Sequence, residues 1–193
     1  MGEYREGECV VFCKVNEPFG GLSNMAGGFP LDVDGRPVRF SEALYQACRF
    51  PHRPDWQAEI LAEASPMAAK MKSKKEGRRR DHSRPDWEAI QVDVMRWCLR
   101  VKLARNPARF GALLLASRER PIVERSRKDA FWGAVPVTRE EGLLRGENRL
   151  GRLLDELREE WRTLGREGLR AVTPPPVAGF LLLGREVGFV EVG

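Results

Sequence analysis

The stretch Phe40-Ser41-Glu42-Ala43-Leu44-Tyr45-Gln46-Ala47-Cys48-Arg49-Phe50 is rich in helix formers and opens on a serine. Ser41 can cap a helix running through Phe50, with Glu42 at its first position. A carboxylate in a first turn gains about 0.3–1 kcal/mol from the helix dipole, so taken alone Glu42 reads as an ordinary first-turn acid. Gln46 lies one turn on and shares its face, so the pair can present an acid and an amide to one pocket. Upstream, Phe29–Phe40 reads as a hairpin turning at Asp34-Gly35. Before it, the glycine-rich stretch Phe19–Gly28 carries Ser23 and Asn24 just after paired glycines, which permit close backbone approach to a ligand. Residues 9–15 read as a first strand.

Downstream, Asp55 opens a second helix and Ser65-Pro66 a third, by the cap-then-proline rule. The run Lys70–Arg80 is too charged and glycine-broken for a core. With Arg84 it is the strongest electrostatic feature, readable as a solvated basic face or, more sharply, as a phosphate or nucleic-acid contact. It lacks the regular aromatic interleaving of a single-strand platform. Pro85-Asp86-Trp87 starts a long helix with Ile90, Val94, Trp97 and Val101 on one face. Asn106-Pro107 ends it and begins another through Phe110, Leu113 and Leu114. Ile122-Val123-Glu124 is a short strand entering a loop with Asp129-Ala130-Phe131-Trp132-Gly133. There an acid, two aromatics and a glycine could stack a base or ribose, or could simply anchor the loop. The last clear helix begins near Asn148. Leu150, Leu153, Leu154, Leu157, Trp161 and Leu164 form its stripe, with Asp155, Glu156, Arg158 and Glu159 facing water. Thr173–Pro176 is a stiff spacer. After it, Phe180–Leu183 and Val187–Val192 read as a small hairpin around Gly184-Arg185-Glu186.

The 193 residues, with 33 Lys+Arg against 28 Asp+Glu and a net charge of +5, suit one mainly helical α+β domain over 8–165 and a tail over 166–193. A hydrophobic share of 42% with 32% charged residues excludes a disordered or collagen-like chain. No apolar run reaches the roughly 20 residues of a bilayer helix. The charged start is no signal peptide, so a cytoplasmic protein is expected. Of the cysteines only Cys9 and Cys13 are close, and His52 and His82 have no spaced acidic partner, so no metal or cofactor is expected. Cys48 and Cys98 read as small buried hydrophobes. The chemistry is then to be sought in carboxylates, amides and aromatics.

In their order these segments resemble the NADAR superfamily, the YbiA-like domain proteins. Leu22-Ser23-Asn24-Met25 is similar to that family's opening, and Phe40–Phe50 to its Ser-Val-Glu-His-x-x-Gln-Ala helix. Ser65-Pro66 with Lys70 resembles its Ser-Pro-x-x-Ala-Lys segment. Asp86-Trp87, Met95, Lys102 with Asn106-Pro107, Val123-Glu124, Asp129, Phe131-Trp132-Gly133 and Gly146–Gly151 continue in register. The resemblance spans roughly residues 16–162. Two departures stand out: Ala43 replaces the family's histidine, and Met25 its aromatic. The resemblance implies a hydrolase of N-glycosidic bonds. Some members destroy ribosylated pyrimidine intermediates of riboflavin synthesis, and others remove ADP-ribose from guanine in nucleic acid. A pocket for a phosphate-bearing ribose with an N-linked base is implied. Glu42 and Asp129 are then the catalytic carboxylates and Trp132 the stacking surface. Asn24 and Gln46 would orient hydroxyls or water, and Lys70 would meet a phosphate. Ser23, Tyr45, Phe131 and Gly133 complete the binding residues, and Asn148 would cap the last helix near the pocket. The expected partner is a nucleotide-like small molecule or ADP-ribosylated nucleic acid, with no membrane. Two alternatives remain at this level: a non-hydrolysing ADP-ribose or NAD-binding module, suggested by Ala43, and a nucleic-acid binder working through Lys70–Arg84.

Overall fold

The computed structural model describes residues 1–191, apart from the side chain of Arg78; Val192, where the expected hairpin ends, lies outside the described residues. Six α-helices stand among the described residues: α1 (Ser41–Ala47), α2 (Pro54–Leu61), α3 (Pro66–Lys75), α4 (Trp87–Arg105), α5 (Pro107–Ala116) and α6 (Arg149–Leu164). Short strands separate them, which is the expected α+β class. The chain forms two compact units, one of residues 1–23 with 107–168, the other of residues 24–106 with the segment from Leu169 on.

In the first unit, Val10–Phe12 runs parallel to Ile122–Glu124. This is the core of the strand expected over 9–15; Cys13 is already exposed. A second, antiparallel sheet has Leu143–Gly146 between Gly2–Arg5 and Val135–Pro136. Its first strand is unexpected in so charged a start. Alternation explains it: Glu3 and Arg5 are exposed while Tyr4 is half-buried, and Glu3 pairs with Arg145 directly across the ladder at 2.6 Å. α6 buries Leu150, Leu153, Leu154 and Leu157 as its period predicts. Leu164, in contrast, is 53% exposed, because the stripe outruns the surface it covers. Its polar face is also not wholly solvated. Arg158 is buried, donating from Nη1 to Ser117 Oγ at 2.7 Å and to the Arg120 carbonyl at 2.8 Å. Asp155 accepts from the Ile122 N–H at 3.2 Å, so these two charges tie α6 to the chain entering its neighbouring strand.

In the second unit, Leu31–Val33 and Arg36–Val38 form the expected hairpin, with φ of 51° at Asp34 and 73° at Gly35. Two successive positive φ values match strand twist in a two-residue turn. α1 is buried along its whole length and packs against α2, α3 and α4. Its start differs from expectation. Phe40, in extended backbone, holds the N-cap position, and the Ser41 hydroxyl donates to the Asn24 carbonyl at 3.1 Å instead of capping. Ser65 does cap α3, accepting from the Ala68 N–H at 3.1 Å. α4 buries Val94, Trp97 and Val101.

The basic run is only partly solvated. α3 carries it to Lys75, a tight turn over Glu76–His82 follows, and Ser73 and Arg79 are buried. Arg79 lies over the Trp56 ring and pairs with Glu59, so the turn folds onto α2. The segment from Leu169 on is integrated here as well. Leu181–Leu182 pairs with Arg185–Glu186 across a Leu183-Gly184 turn, with φ of 52° and 76°. Val190–Glu191 pairs with Ala171–Val172, not with the Phe180 strand as expected. The Gln57 amide fixes the shifted turn, donating to the Leu181 carbonyl at 2.9 Å and accepting from the Leu183 N–H at 2.6 Å.

Candidate active site

In the second unit the buried side chains of Asn24 and Gln46 meet Glu42, which is 4% exposed on α1. Its Oε1 accepts from Gln46 Nε2 at 2.8 Å, one turn on along the same helix. Its Oε2 accepts from Asn24 Nδ2 at 2.7 Å. Asn24 is brought there by the loop that the Ser41 hydroxyl ties down. Two amides therefore clamp one carboxylate, leaving its other lone pairs open. Asn24 Oδ1 is buried with no hydrogen-bond partner, an acceptor held beside the carboxylate.

Behind Gln46 lies a second layer. Gln46 Oε1 accepts from Ser73 Oγ at 2.6 Å and from Arg49 Nη1 at 3.1 Å. The Arg49 Nε and Nη2 atoms reach Ser83 Oγ at 3.2 and 2.8 Å, and its guanidinium lies 5.5 Å from the Trp87 ring centre. Trp87 also packs at 5.1 Å against Tyr45, which is buried.

Electrostatics follow from this burial. Desolvation pushes the Glu42 carboxyl above the ordinary range, against the pull of Lys70, of the Gln46 and Asn24 amides and of Lys74. Burial and then the Glu42 charge push the Tyr45 phenol up. Desolvation lowers Arg49, and on Lys74 the same effect is reinforced by the neighbouring charges of Lys70 and Arg49. Lys70 and Lys74 occupy successive turns of α3, so two cations act on Glu42 from one helix. A buried acid with a raised pKa, held by directional donors, can carry a proton or stabilise a nearby cation.

The other expected residues belong to the first unit. Asp129 is exposed, and its Oδ1 accepts from the Phe131 and Trp132 N–H groups at 3.1 and 2.9 Å. Its carboxylate thus closes a turn of its own loop. Phe131 and Trp132 stand edge to face with centroids 5.1 Å apart. Gly133 is required sterically, since a Cβ there would lie 2.4 Å from the Glu124 carbonyl oxygen. Asn148 does not cap α6. Its left-handed backbone turns the side chain onto Ile122–Glu124, where Nδ2 donates to the Ile122 carbonyl at 2.8 Å and Oδ1 accepts from the Glu124 N–H at 3.1 Å. Ser23 is buried at the end of a 3₁₀ turn.

Of the expected residues, then, the fold brings Asn24, Gln46, Tyr45 and Lys70 to Glu42. Sequence reading missed Arg49, Ser73, Ser83 and Lys74. The one available signal was spacing: Arg49 follows Gln46 by three positions on a helical face. Among the described residues no group of three His, Cys, Asp or Glu side chains is placed to hold a metal ion. Nor is any helix long and apolar enough to cross a membrane.

A buried carboxylate clamped at both oxygens is a group able to do acid–base work. The chain belongs to the NADAR domain family, which it matches over residues 11–162. It is 37% identical over 154 residues to the N-glycosidase YbiA of Escherichia coli (strain K12), covering 78% of this chain and 87% of that protein. A riboflavin biosynthesis protein of Vibrio vulnificus (strain YJ016) is 32% identical over 153 residues, which are 78% of this chain and 38% of that one. An NMR structure of the E. coli protein YbiA superposes with a TM-score of 0.64 at 33% identity, covering 82% of this chain and 87% of that one. The N-glycosidase class implied by the order of motifs agrees with these relatives.

Proposed function

We propose that the chain hydrolyses the N-glycosidic bond of a ribosyl-phosphate substrate, with Glu42 as the catalytic carboxylate. The observation that carries this reading is the clamp: a 4% exposed carboxylate held at both oxygens, with an unpaired acceptor on Asn24 beside it. Breaking a C–N glycosidic bond builds positive charge on the ribose C1′. An ionised, fixed carboxylate stabilises that charge and can take a proton from the attacking water. Both tasks need the anion, and the two amide donors favour it against desolvation. Asn24 Oδ1 is suited to accept from a sugar hydroxyl or that water, and Lys70 to meet a phosphate.

The Vibrio relative's name supports a ribosylated pyrimidine phosphate of riboflavin synthesis as the first substrate. Exposed Lys75 and Arg80 in the basic run support a second reading, an ADP-ribosyl group on guanine in nucleic acid. The test is chromatographic detection of released base from both substrates, with NAD and ADP-ribose alongside. The wild type is expected to release base from one of them, and Glu42→Gln to do so about 10²–10⁴-fold more slowly, the usual contribution of a positioned acid–base group. Release by Glu42→Gln at the wild-type rate overturns the assignment.

A further inference from the structure

We infer that Arg49 is a positioning residue for Glu42: it fixes which way round the Gln46 amide lies, so that the amide presents N–H, and not its carbonyl, to the carboxylate. The inference rests on the catalytic reading of Glu42 above. Its force comes from counting donors and acceptors.

Gln46 sits between two side chains, with Glu42 2.8 Å from its nitrogen and Arg49 3.1 Å from its oxygen. A guanidinium only donates, so the amide oxygen must face Arg49 and the NH₂ must face Glu42. Ser73 cannot make that choice. Its hydroxyl lies 2.6 Å from Gln46 Oε1 and 2.9 Å from the Lys70 carbonyl, with a single proton for both. It can donate to the amide oxygen, or turn to the Lys70 carbonyl and accept from an amide N–H. With Arg49 removed, the flipped amide therefore satisfies Ser73 equally well. The flipped carbonyl then faces Glu42 and needs a protonated carboxyl as donor.

Arg49 is itself held for the task. It is 6% exposed, and two of its nitrogens are fixed on Ser83 Oγ, which in turn donates to the Arg80 carbonyl at 2.8 Å. The polarised amide lies between cation and anion, with its dipole aligned to both. Other ionisable groups also face Glu42: Tyr45 on α1, Lys70 and Lys74 on α3, and Cys98 on α4, while Glu88 acts on Tyr45 and Arg49. A shift caused by Arg49 must thus be separated from the general field.

The experiment titrates the Glu42 carboxyl by ¹³C NMR in Glu-labelled protein, the resonance being the one lost in Glu42→Gln. The same variants are assayed for the acid limb of kcat/KM on the released-base substrate. Arg49→Met is expected to raise the Glu42 midpoint and the acid limb by about one pH unit, a tenfold change in proton affinity. Arg49→Lys, which keeps a donor-only cation, restores both. In a Gln46→Met background Arg49→Met adds little, because the path through the amide is already cut. Should Arg49→Met not fold, Ser83→Ala releases the guanidinium and gives the same shift, smaller. An unchanged midpoint in Arg49→Met overturns the inference, as does a full extra shift in the Gln46→Met background, which would mean a direct field effect. If no variant, wild type included, releases base, the catalytic reading fails while the NMR midpoints still decide the role of Arg49.

Discussion

At the scale of single residues, burial decides which charges matter. Lys102 on α4 is fully buried, its amine 4.5 Å from the Phe29 ring centre, and desolvation lowers its pKa to about 7. In the unfolded chain a lysine titrates near 10.4. Between these values the unfolded chain holds a proton that the folded one has shed, so stability climbs as pH rises from about 7 towards 10. Below pH 7 both states are protonated and this contribution is flat. The full climb is on the order of 4–5 kcal/mol, taking about 1.4 kcal/mol per pH unit. Urea unfolding between pH 7 and 9.5 checks it: the wild-type midpoint should rise, and Lys102→Met should lack the rise. An equal climb in the variant would place its origin elsewhere. Glu42 has the opposite sign. Its raised pKa means that burial costs nothing below the unfolded value and costs more as pH rises through the window above it, so ionising Glu42 lowers stability there. On the proposed catalytic role of Glu42, the same upward shift predicts an acid limb of kcat/KM above the roughly 4.3 of a free glutamate, which a pH–rate profile measures. Glu42 and Gln46 were legible as an acid and amide one helical turn apart. Asn24 was marked by the paired glycines before it, but its pairing with Glu42 was not legible, since nothing local ties it to a residue 18 positions on. Ser73 and Ser83 were illegible for a physical reason: polar residues in a charged stretch read as solvated. Only tertiary packing shows that Ser73 is buried and that Ser83 holds Arg49, a residue whose helical spacing from Gln46 was its one signal.

At the scale of elements, periodicity was informative wherever one face is apolar. The stripe of α4 and the first three turns of α6 are where it places them, and the Asp34-Gly35 turn follows from its residue types. Periodicity failed where a polar side chain replaces apolar contact. Arg158 sits on the nominal wet face of α6, yet it is buried because the Ser117 hydroxyl and the Arg120 carbonyl accept from it. The Leu183-Gly184 turn was missed because a leucine at φ of 52° contradicts its own preference, and the Gln57 amide holds it. The Asp129 loop gives a prediction at this scale. Its Oδ1 closes the turn onto the Phe131 and Trp132 N–H groups, a task an asparagine carbonyl also performs. Asp129→Ala should therefore cost about 1 kcal/mol, as loss of a helix cap does, while Asp129→Asn costs a few tenths at most. Urea unfolding of the two variants checks the order. Equal losses would show that charge, not the acceptor, matters. Base release by Asp129→Asn then reports on the charge alone, since its turn is intact.

At the scale of the whole molecule, the family match stops at residue 162, yet the chain from Leu169 on supplies part of the second unit's core. Leu169, Val172, Phe180, Leu182 and Val190 are buried, and Phe180 stands edge-on to Trp97 at 5.1 Å. Gln57 and Arg84 spend hydrogen bonds on the carbonyls of Leu181 and Ala178. Sequence reading left this segment as a spacer and hairpin because its strands are two residues each, too short for alternation to register. Burying a large apolar side chain is worth about 1.5–3 kcal/mol, so five of them bring roughly 7–15 kcal/mol before the entropy of ordering the segment is subtracted. That gross figure is comparable with the entire stability of a typical domain, about 5–15 kcal/mol. Removal would also bare Trp97 and leave the Gln57 amide without its partners. A chain ended at Gly165 is therefore expected to lose cooperative unfolding, and to lose base release because α1 packs against α2 and α4 in that same unit. Circular dichroism melting, with Phe180→Ala as the milder variant, checks this. Phe180→Ala should cost about 3–5 kcal/mol, the usual range for a buried phenylalanine, and should lower Tm while leaving a single transition. A truncated chain that melts cooperatively at the wild-type temperature would show that the family core stands alone and that the extension only decorates it.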